Sequence, residues 1–166
     1  MTTAWRIVKT RRADGVVQIN GTEIPTPFDG TGASRVGGRW NSCGVPVVYC
    51  SESQSLATLE ILVHIEDPAL MGSYSLFPVE FDPSLVLVAG EDIDLPEGWD
   101  GHPAGAASRS VGDDWAFSNR SVILKVPSVI IPSESNYLIN PYHPDMDKLS
   151  IGGHQPFPFD DRLTGA

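Results

Sequence analysis

Apolar positions along the chain come in short bursts, and the spacing of each burst predicts its element. Residues 5–9 (WRIVK) predict a first short strand, followed by a polar segment rich in turn formers that runs to Gly32. Residues 33–45 (ASRVGGRWNSCGV) predict a glycine-rich loop carrying two arginines and a tryptophan, and 46–50 (PVVYC) a short apolar strand bounded by turn residues. The clearest helix follows in QSLATLEILVHI. Ser51 with Gln54 forms a capping-box pattern, Ser53 is an alternative cap, and Asp67-Pro68 marks the stop. Strand-like runs at 74–81 and 85–89 precede an acidic, Pro/Gly-rich loop at 90–105. A short helix is predicted at 106–115, then strands at 121–126 and 129–131 interrupted by Pro127, and another at 137–139. The tail HQPFPFDDRL is too aromatic for a disordered end and is expected to dock on the body. No repeat or linker divides the chain. Strands flanking a few helices, without regular βαβ alternation, predict one α+β domain over 1–166, with a mixed, mostly antiparallel β core flanked by short helices.

Composition narrows this picture. With 166 residues and 41% hydrophobic content, the chain can bury a core without a covalent staple. A formal net charge of −10 repels phosphate backbones at long range and argues against direct nucleic-acid binding. It leaves room for a local basic pocket or a basic protein partner. Cys43 and Cys50 match no common zinc or redox spacing, and no disulfide framework is indicated, which favours a reducing compartment. MTTAWRIVKT lacks the apolar run of a signal peptide, and no stretch is long enough to span a membrane. A soluble, cytoplasmic protein is expected.

One position breaks the hydrophobic pattern. Leu56, Leu59 and Val63 predict the apolar stripe of the 51–66 helix, and Glu60 falls within it. A helix facing a core keeps carboxylates on its other side. An unpaired carboxylate there costs several kcal/mol, so Glu60 needs a cation, a hydrogen-bond donor or a ligand, unless it lies at the stripe's edge and reaches water. The preceding segment supplies suitable chemistry. Gly37-Gly38 lets backbone approach a ligand closely, Arg39 offers a planar fork for phosphate or carboxylate, and Tyr49 ends the next strand with a ring and a hydroxyl. Cation, ring and carboxylate together suit an anionic ligand carrying a base and a sugar.

These residues resemble the RES-domain family, toxin components of bacterial toxin–antitoxin pairs whose partner is an Xre-like antitoxin. The resemblance is carried by the opening Trp5-Arg6, GGRWN, PVVYCSES and SLATLEILVH, and then by VPSVIIP, NYLINPYHPD and the closing FPFDDRL. It implies a fold similar to ADP-ribosyltransferase toxins. It also implies chemistry on NAD+ as substrate, by phosphorolysis with inorganic phosphate, by hydrolysis, or by transfer of ADP-ribose to a protein. On that resemblance Arg39 and Arg6 would contact the phosphates or the nicotinamide ribose, Tyr49 would pack near the nicotinamide, and Glu60 would be the central acid. The family serine falls on Ser108 first or Ser128 second, and Asn140 is a weaker binding candidate. An antitoxin that blocks the pocket is implied as well.

Rival readings carry less sequence support. Glu60, His64, His143 and Asp145 offer metal-ligating atoms without a paired-ligand spacing, so no metal is expected. There is no GxGxxG after a strand and no GxSxG. A non-catalytic acidic interaction module predicts no NAD+ consumption at all.

Overall fold

The computed structural model describes residues 1–165. Its centre is an eight-stranded sheet in the order β10-β5-β1-β4-β8-β7-β6, with β9 also on β5. The strands are β1 (Thr2–Lys9), β4 (Val48–Ser51), β5 (Tyr74–Phe81), β6 (Val86–Val88), β7 (Ile123–Pro127), β8 (Ser135–Ile139), β9 (Ser150–Ile151) and β10 (Gln155–Phe157). Only β6 and β7 run parallel; every other pair is antiparallel. A separate hairpin joins β2 (Val16–Ile19) to β3 (Thr22–Pro25), and the described residues form three α-helices: α1 (Thr31–Val36), α2 (Gln54–Leu62) and α3 (Ala106–Ser118). The architecture is the expected α+β type with a mostly antiparallel core.

Alternation along the strands sends side chains to two cores. One face (Ala4, Val48, Cys50, Phe77, Val79, Ile123 and Ile139) is covered by Ile19 and Ile24 of the hairpin together with Phe28, Met146 and Leu149. On the other face, Leu124, Val126 and Leu138 lie beneath Trp40 and the Val111 and Trp115 side chains of α3. Ile7 and Leu76 lie beneath Ala57 of α2. The aromatic tail docks as expected: β10 pairs with β5, and Phe159 packs edge-on against Tyr74 at 4.9 Å.

Local chemistry explains where the structure departs from the sequence expectations. The segment taken as turn-rich holds the β2–β3 hairpin, closed by Asn20-Gly21 with φ of 50° and 82°. That is the two-residue turn whose twist suits a hairpin. Within the expected glycine-rich loop, residues 31–36 coil into α1 between Gly30 (φ 75°) and Gly37 (φ 73°). The α2 cap is Ser53, whose hydroxyl accepts from the Leu56 amide, whereas Ser51 stays in β4. The stripe of α2 is shifted too: Leu56 and Ala57 are buried while Val63 is 58% exposed, because the helix stops at Leu62. No strand forms at 129–131, where the Ile130 and Ile131 amides donate to Ser128 Oγ and not to a neighbouring strand.

Candidate active site

β1 and β4 are neighbours in the sheet but share a single register pair, Trp5 opposite Ser51. Arg6 fills the fork beyond that pair. Its Nε donates to the Pro27 carbonyl at 2.8 Å and its Nη1 to the Tyr49 carbonyl at 2.8 Å, with the guanidinium 5.7 Å from the Phe28 ring centroid. Burial pushes its pKa below the ordinary arginine value. Beside the fork opens a groove of about 920 Å³, with Arg6, Glu60, Ile61, His64, Met71 and Tyr74 among its walls. Lys9, Arg11, Arg12 and Arg35 also line it. Five of the chain's eleven Lys and Arg residues therefore line the groove, together with five carboxylates, Asp14, Asp29, Glu60, Glu66 and Asp67. Among the described residues none of the five cations forms a salt bridge.

Glu60 is half-buried on the groove wall, on the α2 turn that follows Leu56 and Ala57. Its Oε1 accepts from Asn136 Nδ2 at 2.7 Å and from Ser128 Oγ at 3.2 Å. Ser51 Oγ donates in turn to Asn136 Oδ1 at 2.7 Å. Of the partners the sequence left open for an inward acid, a cation, a hydrogen-bond donor or a ligand, the structure supplies a pair of neutral donors. Arg6 shares the groove with Glu60 without pairing to it among the described residues.

The other candidates gather elsewhere, around residues 37–45. Arg39 is half-buried, its Nη1 donating to the carbonyls of Trp99 at 3.1 Å and Gly101 at 2.9 Å. Tyr49 Oη donates to Asn41 Oδ1 at 2.7 Å and accepts from the Trp40 amide at 3.1 Å, and burial raises the pKa of its phenol. Ser108 is fully buried and donates to the Arg39 carbonyl at 2.6 Å. Neither Arg39 nor Tyr49 is among the residues lining the groove. Of the two serines, Ser128 reaches Glu60. Asn140 is buried and tied to Ala116 and Asn119, and its Oδ1 accepts from the Tyr142 amide.

Sequence reasoning missed Asn136 and the groove cations Lys9, Arg11, Arg12 and Arg35. Asn136 was discoverable only from pairing: β8 places it directly opposite Ser51, on the same side as Leu138. Among the described residues no group of three or more His, Cys, Asp or Glu side chains is placed to hold a metal. No described helix is long and apolar enough to cross a membrane.

Residues 3–160 match the RES domain. A relative from Sphingobium sp. (strain YBL2), named Prs ADP-ribosylating toxin, is 40% identical over 167 residues, covering 98% of each chain. A protein of Yersinia enterocolitica named Toxin Res is 37% identical, covering 84% of this chain and 92% of its own. A protein of the same name from Photorhabdus laumondii is 34% identical, covering 86% and 92%. Among solved structures, a chain of the M. tuberculosis MbcT–MbcA toxin–antitoxin complex superposes with a TM-score of 0.67. That likeness covers 99% of this chain and 90% of the other at 16% identity, which speaks to the fold alone.

Proposed function

The chain belongs to the RES domain family, and from that premise we propose that it is the toxin of a toxin–antitoxin pair and breaks the nicotinamide–ribose bond of NAD+. The observation that carries the reading is Glu60, a carboxylate held by Asn136 and Ser128 on the wall of a groove that also presents Arg6, Lys9, Arg11, Arg12 and Arg35.

The chemistry follows from the bond to be broken. Cleavage of the N-glycosidic bond sends its electron pair to the departing neutral nicotinamide and leaves an oxocarbenium-like ribose. A fixed carboxylate beside that carbon stabilises the positive charge and accepts from a ribose hydroxyl. Cations along the groove hold the pyrophosphate, so binding energy is turned into orientation of the scissile bond. Arg6, already committed to two carbonyls, shapes the fork, while Lys9, Arg11, Arg12 and Arg35 remain for the phosphates. Arg39, Tyr49 and Ser108 act from beside this groove, by fixing the loop that ends at β4.

ADP-ribose then passes to an acceptor. The 40%-identical relative, an ADP-ribosylating toxin by name, supports a protein acceptor, with the nucleophile's proton lost to solvent. Inorganic phosphate is the second reading, with water the simplest acceptor. An Xre-like antitoxin covering the groove completes the proposal, supported by the toxin–antitoxin complex that shares the fold. The test is incubation with NAD+, with and without phosphate, followed by product identification, together with labelled NAD+ in a lysate. Glu60→Gln should lower turnover by about 10²- to 10³-fold while the protein stays folded. Full turnover by folded Glu60→Gln protein refutes the reading. Absence of NAD+ loss by the wild type under all these conditions leaves a non-catalytic interaction module.

A further inference from the structure

Both side-chain donors that reach Glu60 converge on the same oxygen. Asn136 Nδ2 and Ser128 Oγ each donate to Oε1. Neither donor has freedom to do otherwise. Ser128 Oγ already accepts from the Ile130 amide at 3.1 Å and the Ile131 amide at 3.2 Å, so its single proton points to the carboxylate. The amide of Asn136 is oriented by Ser51, a buried residue directly across the β4–β8 ladder, whose Oγ donates to Asn136 Oδ1 at 2.7 Å. Ser51 donates to the carbonyl end, and the NH2 end faces the carboxylate of Glu60, which when ionised only accepts.

A free carboxylate has two equivalent oxygens and rotates between them. Here the equivalence is broken. Resting on the reading of Glu60 given above, we infer that Asn136 is a positioning residue: held by Ser51, it pins Oε1 so that Oε2 alone is presented to the ribose in the groove. Asn136 touches neither substrate nor reacting atoms in this account; it acts through Glu60. Its loss leaves NAD+ binding, which depends on the groove's cations, while the acid loses its aim.

The test is steady-state NAD+ cleavage by Asn136→Asp, which keeps the side chain's shape and an oxygen for Ser51 but offers Glu60 no N–H. The expected result is a fall in kcat of about 10²-fold with KM within about threefold, because misplacement by about 1 Å costs that much in rate. Ser51→Ala should lower kcat by about three- to tenfold, and Ser51→Thr, which restores the hydroxyl, should recover it. A residue that only filled space would show neither the kcat-only loss nor the threonine rescue. Wild-type kcat in folded Asn136→Asp, or a change confined to KM, overturns the inference. Should Asn136→Asp fail to fold, the Ser51 pair decides alone: equal kcat in Ser51→Ala and wild type overturns it. A wild-type protein that consumes no NAD+ defeats the functional reading itself, whereas an active wild type, an inactive Glu60→Gln and a fully active Asn136→Asp defeat only this step.

Discussion

Gly112, in the middle of α3, faces the backbone of Trp40, and replacing it with alanine sets two effects of opposite sign against each other. In an exposed helix interior the change would stabilise by about 1 kcal/mol, since glycine is a poor helix former. At this position the new Cβ would collide with the Trp40 carbonyl oxygen and lie 2.7 Å from its carbonyl carbon and 3.1 Å from Trp40 Cβ. Neither side can yield cheaply. Trp40 is 2% exposed, its amide donates to Tyr49 Oη, and the preceding carbonyl of Arg39 accepts from Ser108. Overpacking costs about 1–3 kcal/mol in a side-chain core, and a clash between two backbones belongs at the upper end. The net expectation is destabilisation by about 2 kcal/mol, a fall in Tm of about 4–8 °C for a domain of this size. Thermal melts followed by circular dichroism, with urea midpoints at constant m-value, measure it directly. An unchanged or raised Tm would mean that α3 does not press on the loop carrying Arg39, and the account of how that loop is held would fall.

Two further expectations concern neighbouring residues of β4, Tyr49 and Cys50, on opposite faces of the sheet. Tyr49→Phe strips the donor from Asn41 Oδ1, in a side chain that is fully buried, and the acceptor from the Trp40 amide, so stability should drop by about 2 kcal/mol; full stability with lost activity in chemical denaturation and NAD+ assays would place the hydroxyl on the substrate instead. Cys50 is buried and its thiol is pushed up to about 12 by loss of hydration. Below pH 9 the thiol is protonated whether the chain is folded or not, and nothing changes. Between 9 and 12 only the unfolded chain ionises, so stability should fall by on the order of 1 kcal/mol per pH unit at this site. Urea midpoints for the wild type and Cys50→Ala should diverge in slope over that window; parallel curves would contradict the burial argument.

The fold was legible wherever a pattern was local and strong. The strand-like run at 74–81 became β5 with the expected boundaries, and the aromatic tail docked because Phe157 and Phe159 have an apolar surface to cover. What escaped was chemistry in which a side chain or a turn replaces the expected partner. Asn20-Gly21 fixes a hairpin in a segment too polar to look like strands, and Ser128 captures the two amides that would have continued a strand through 129–131. For the candidate site, Glu60 stood out as a carboxylate within an expected apolar stripe; the stripe is shifted to Leu56 and Ala57, and the half-buried carboxylate is held by specific donors. Their identity was hidden, since Asn136 lies 76 residues away and becomes a neighbour only through the β4–β8 register. Arg39 drew attention by its glycine-rich setting, yet its guanidinium is spent on the carbonyls of Trp99 and Gly101, which no spacing rule foretells.

Arg6 gives the sheet a property of its own. At the seam between β1 and β4 the carbonyl of Tyr49 is answered by a side chain where an uninterrupted sheet would use a backbone N–H. Two strand edges that would otherwise zip together are thereby propped apart, and the edge of β4 is spared an orphan acceptor. The cleft is therefore held open from within by a side-chain wedge.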